Sequence, residues 1–139
     1  MSQQLKPYPL RMPDEMREKL QGFAAIYGRS LNAEIVNRLE LSLMNQSQLP
    51  TLIDANRAKE LATAARQQLP MLIMDKVITE INRSISHGHN GAYVDLNEFE
   101  LEFLSEEHFE KILEPVTKKL ADAGYTVEDL NVGSMSIDF

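Results

Sequence analysis

The hydrophobic pattern of this 139-residue chain changes period several times, and each change marks an element. In residues 5–12, Tyr8, Leu10 and Met12 alternate with Pro7, Pro9 and Arg11, the period of two expected of a strand with one buried face. Prolines normally oppose a strand because they lack an N–H. These two lie two residues apart, so both fall on positions that make no ladder bond in an antiparallel pair. Pro13 suits the first turn of a helix, and Asp14 and Glu15 favour its positive dipole end. Met16, Leu20, Phe23, Ala24 and Tyr27 follow at helical spacing until Gly28 stops the helix. Ser30 is the expected N-cap of a second helix, with Leu31, Ile35, Leu39 and Leu43 as its apolar stripe and Val36 widening it.

Residues 45–51 are polar, contain Pro50 and show no periodicity, as a linker would. From Asp54 to about Ser86 a long helical pattern contains Pro70, which predicts one kinked helix or two abutting ones. Ser86 to Gly91 reads as a turn and Ala92–Leu96 as a strand. Ser105 caps a further helix to about Ala123, with Phe109, Ile112, Leu113, Val116 and Leu120 on its apolar face and Pro115 inside it. Gly124 ends that helix, and Tyr125 to Asp138 reads as a β-hairpin. Domain boundaries are therefore expected at 1–45, 46–53 (the linker) and 54–139.

A lone strand in the first module has no partner within its own module. About 45 residues also bury too little surface to fold alone. Two copies pairing their strands antiparallel about a two-fold axis remove both problems, so this module is expected to be an obligate homodimer. Charge sharpens the division. The whole chain carries −7, but residues 1–45 hold six basic and five acidic side chains, a net +1, while the remainder holds eight and sixteen, a net −8. The total therefore does not argue against nucleic acid as a partner of the first module.

The residues from Tyr8-Pro-Leu-Arg-Met-Pro-Asp-Glu-Met-Arg-Glu-Lys-Leu20, with Gly28-Arg-Ser-Leu-Asn-Ala-Glu-Ile35, resemble the ribbon-helix-helix repressors of the Arc and Mnt type. The resemblance covers residues 5–44, and the Gly-Arg-Ser-x-Asn-x-Glu corner is its most specific part. It implies a sequence-specific repressor of phage or prophage origin that inserts a two-stranded ribbon into the major groove of double-stranded DNA. The outward positions are Pro7, Pro9 and Arg11. Arg11 can pair bidentately with guanine. The family usually has polar side chains where Pro7 and Pro9 stand, and these prolines offer only apolar contact, for example to thymine methyls. Lys6 and the arm before it would add phosphate contacts. Ser30, Leu31 and Asn32, at the N-terminus of the second helix, are the phosphate-clamp candidates. Arg29, Glu34 and Arg38 match a buried ionic triad known in Arc and carry a structural role. The expected architecture is thus α+β: an intertwined ribbon-helix-helix dimer followed by a small α+β domain with a kinked helix and an antiparallel sheet.

The second module offers little chemistry. His87-Gly-His89 could be a metal pair, but a glycine-rich helix stop explains it more simply, and no metal or cofactor is expected. There are no cysteines. Eight carboxylates between Asp95 and Glu114, against Lys111 alone, alternate with Leu101, Phe103 and Leu104 and read as a solvated edge. No phosphate loop, Ser/His/Asp signature or HExxH occurs, so no enzyme is expected. No apolar run is long enough to span a bilayer and no signal peptide is apparent; a cytoplasmic protein of a bacterial host cell is expected, with no membrane partner. The acidic domain would mediate tetramerisation, sense an effector or bind a protein partner. The alternative to the repressor is an antitoxin autoregulating its operon, or an effector-responsive or protein-interaction factor.

Overall fold

A computed structural model describes residues 5–44, 46 and 51–139. The chain divides between Asp54 and Ala55 into two compact units. Residues 47–50 of the expected linker, and the arm before Leu5, lie outside the described residues.

In the first unit, residues 5–13 run without regular secondary structure and lead into α1 (Asp14–Ile26). The strand expected at 5–12 therefore does not form within one chain. Its ladder needs a second strand, and no other strand lies among the described residues of the first unit. Gly28 adopts φ +66° and ends α1, a left-handed conformation in which a side chain would be strained. Ser30 Oγ then accepts from the Ala33 amide at 3.1 Å and opens α2 (Leu31–Met44). Parts of the apolar stripes expected on these helices stay uncovered: Met16 is 53% exposed, Leu39 56% and Leu43 65%.

The second unit closes on itself. Helix α3 (Ala55–Ser86) is continuous through Pro70. Proline inside a helix costs about 3 kcal/mol, and here the following turns, Ile73, Val77 and Ile81, are anchored in the core. Pro115 is carried in the same way inside α4 (Glu106–Asp122), between the buried Leu113 and Val116. Ser105 Oγ caps α4 through the His108 amide at 3.2 Å. Strands β1 (Gly91–Asp95), β2 (Thr126–Leu130) and β3 (Ser134–Asp138) form an antiparallel sheet in the order β1-β3-β2, so the last strand is the central one. Asn131 Oδ1 closes the β2–β3 turn by accepting from the Gly133 and Ser134 amides at 2.8 and 3.0 Å. Ala92, Val94, Met135 and Ile137 point from the sheet into a core shared with α3 and α4.

The stretch between β1 and α4 differs from the solvated edge expected of it. It makes two short 3-10 turns, Asn97–Phe99 and Leu101–Phe103, joined by Glu100 at φ 50°. That left-handed residue lets Leu101 turn fully into the core while Phe103 stays outside. No helix of the described residues is long and apolar enough to cross a membrane.

Candidate nucleic-acid interface

Arg29, Glu34 and Arg38 meet at the corner between α1 and α2. Glu34, 2% exposed, places Oε1 2.7 Å from Arg38 Nε and Oε2 3.1 Å from Arg29 Nε. The Arg38 contact is aligned as a hydrogen bond; the Arg29 contact is an ion pair without that alignment. The two guanidinium groups also cover aromatic faces, Arg38 at 4.8 Å from the ring centre of Phe23 on α1 and Arg29 at 5.1 Å from that of Tyr27 just after it. Four-residue spacing puts Glu34 and Arg38 on one face of α2, and the turn at Gly28 brings Arg29 back to them. The corner is thus fixed by charge rather than by aliphatic packing.

What this fixes in place is the start of α2. A helix begins with four amides that have no carbonyl partner within it. Here Ser30 Oγ satisfies one of them, Ala33 N–H, and the Ser30 carbonyl takes the first regular helical bond, from Glu34 N–H at 3.0 Å. The amides of Leu31 and Asn32 have no partner among the described residues, and they lie at the positive end of the α2 dipole. Ser30, Leu31 and Asn32 therefore present the donor arrangement of an anion site.

Leu31 also lines an open groove with Leu10, Arg11, Met12, Arg17 and Ile35. The segment before α1, the first turns of α1 and the first turns of α2 meet there. Both charged residues in its lining are cations. Among the basic side chains of this unit, Lys19 is paired with Glu15 at 3.0 Å, and Arg29 and Arg38 are held by Glu34. Lys6, Arg11 and Arg17 make no ion pair among the described residues. Pro7 and Pro9 are exposed, as is Lys6, and none of the three lines the groove. Arg17 was not a candidate in the sequence; its signal would have been the lack of a carboxylate four residues away, which Lys19 has in Glu15.

The Arc-like DNA-binding domain family matches residues 2–51. The chain belongs to this Arc-like family. A relative, the transcription factor AmrZ of Pseudomonas ogarae strain F113, is 32% identical over 90 residues, covering 64% of this chain and 74% of that protein. A match of that length cannot fit inside the Arc-like region and so reaches into the second unit. No solved structure matches the chain significantly.

In the second unit of this Arc-like protein, His87 and His89 place their rings 6.0 Å apart, and no group of three metal-ligating side chains occurs among the described residues. Their backbone explains them: the His89 amide donates to Ser84 O at 2.9 Å around Gly88 at φ +76°, a helix stop. Two of the carboxylates from Asp95 to Glu114 pair with lysines at the surface. Glu98 lies 2.6 Å from Lys76 Nζ on α3. Lys111 hydrogen-bonds Glu107 at 2.6 Å and holds its carboxyl below the usual range by that bond and by its charge.

Proposed function

We propose that this Arc-like DNA-binding protein regulates transcription as a sequence-specific repressor, reading double-stranded DNA as a homodimer. Two copies of residues 5–12 pair antiparallel into a ribbon that enters the major groove. Tyr8, Leu10 and Met12 then turn inward over the uncovered stripes of α1 and α2, and Pro7, Pro9 and Arg11 turn outward to the base edges. Arg11 makes the bidentate guanine contact, the prolines touch apolar groups, and Lys6 reaches a flanking phosphate. The amides of Leu31 and Asn32, set by the Ser30 cap, grip a backbone phosphate. The triad of Arg29, Glu34 and Arg38 holds the corner that aims them.

The observation that carries this reading is the groove where unpaired Arg11 lies beside the open start of α2, next to apolar positions that nothing within the unit covers. The test is a gel shift with Arg11→Ala against a duplex selected by the wild-type protein. The variant should remain dimeric and lose discrimination between that duplex and random DNA; unchanged discrimination would overturn ribbon readout.

The second unit serves tetramerisation in this scheme. Met71, Ile78 and Ile85 stand seven residues apart on α3 and are all exposed, a seam suited to a like helix. Ile78→Lys should reduce tetramer to dimer in sedimentation. An antitoxin's short, poorly ordered tail is a worse fit, since this unit has a closed core of its own.

A further inference from the structure

Resting on the DNA-binding reading, we propose that Arg17 is a second phosphate-binding arginine, acting on the same backbone segment as the α2 amides and independent of base sequence. Three observations meet on it. The Arg17 amide donates to Pro13 O at 3.1 Å, which fixes the residue on the first turns of α1, just behind the segment that carries Arg11. Its side chain lines the groove that Leu31 also lines, so it shares a concavity with the first residue of α2 and its open N–H. Asp14, Glu15 and Glu18 are its near neighbours in sequence, yet none of them pairs with it among the described residues, and no carboxylate lines the groove. Arg17 is thus an exposed arginine with no carboxylate partner among the described residues, open to an outside anion.

The chemistry fits a phosphodiester. Its two free oxygens can take the paired amides of Leu31 and Asn32 on one side and a forked guanidinium on the other, and charge-assisted bonds to phosphate are the strong ones. Arg11 plays a different part, because it belongs to the segment whose side chains alternate toward the bases. The two arginines of one groove thus divide the work, Arg11 for sequence and Arg17 for affinity and register.

The experiment measures binding of the full chain across a salt series, using a duplex selected by the wild-type protein and a random-sequence duplex of equal length. Removing one phosphate-neutralising cation per protomer lowers the log–log salt slope by about 0.9, or about 1.8 for a dimer. Arg17→Gln should show that reduction and weaken both duplexes by the same factor, and Arg17→Lys should keep the wild-type slope. A wild-type slope in Arg17→Gln overturns the proposal. So does Arg17→Lys behaving like Arg17→Gln, or loss of the dimer in Arg17→Gln, which would assign the side chain to the fold. A selection in which the wild-type protein retains no duplex would remove the DNA reading itself, and this inference with it.

Discussion

Thirteen buried apolar residues drawn from α3, α4, β1, β3 and the loop between β1 and α4 make the core of the C-terminal unit. In the N-terminal unit the buried described residues are Ala24, Glu34 and Asn37, two of them polar, while Tyr8, Leu10, Met16, Leu39 and Leu43 are exposed. The difference is one of where the hydrophobic partner lies. The second unit carries both sides of its core in one chain. The first carries one side, held in shape by an ionic corner, and the proposed second copy supplies the other. In the proposed dimer, the exposed large apolar residues mark the face on which folding and assembly become the same step.

The largest effects come from breaking each core in turn. Leu39→Glu should dissociate the dimer, melt the first unit and abolish DNA binding, while circular dichroism retains the helices of the second unit. Ile73→Ala, in the closed core, should lower the unfolding free energy of the second unit by about 2–5 kcal/mol in urea titrations and leave DNA discrimination intact. A common response to both changes would erase the contrast between the units.

A smaller effect is expected at the corner. Glu34→Ala removes the carboxylate that Arg29 and Arg38 share, and loss of one partner from a buried ion cluster costs on the order of 3 kcal/mol. Both arginines keep some contact with water, with side chains 17% and 24% exposed, so the lower end of that scale applies. Thermal melting should place the loss in the N-terminal unit alone.

Two matched caps refine the comparison further. Ser30 and Ser105 make the same bond to the amide three residues on, at 3.1 and 3.2 Å. Replacing either with alanine should cost about 1 kcal/mol of stability. Ser30→Ala should in addition weaken DNA binding, and Ser105→Ala should not; equal affinities in filter binding would separate the α2 start from phosphate. The smallest effect belongs to the acidic surface. The lowered carboxyl of Glu107 is a stabilising contribution present above the ordinary carboxylate range and lost as pH falls through the depressed value. Because the pair is fully exposed, Lys111→Ala should leave the melting temperature at neutral pH unchanged within error.

Local features were the legible ones. Gly28, Ser30, Ser105 and Gly124 punctuate helices where their chemistry requires, and the i,i+4 spacing of Glu34 and Arg38 was enough to place them together. Features set by distant residues were not. Nothing local says that β3 sits between β1 and β2, since that order follows from which faces meet over the core. Leu101 sits in an acidic run whose alternation suggested an exposed edge, and a single left-handed residue, Glu100, reverses its direction. The prolines at 70 and 115 show tertiary packing overriding a strong local preference. In the proposed interface, Arg11 comes from the alternation of the sequence, and Arg17 joins it through the groove that both line.

The central claim is that the first unit recognises DNA as a symmetric pair. Selection of bound sequences from random duplex DNA by the full chain tests it most directly. The account predicts enrichment of two half-sites related by a two-fold axis, each with a guanine that Arg11→Ala no longer selects. Recovery of no enriched sequence, or of a single asymmetric site untouched by that substitution, would contradict it.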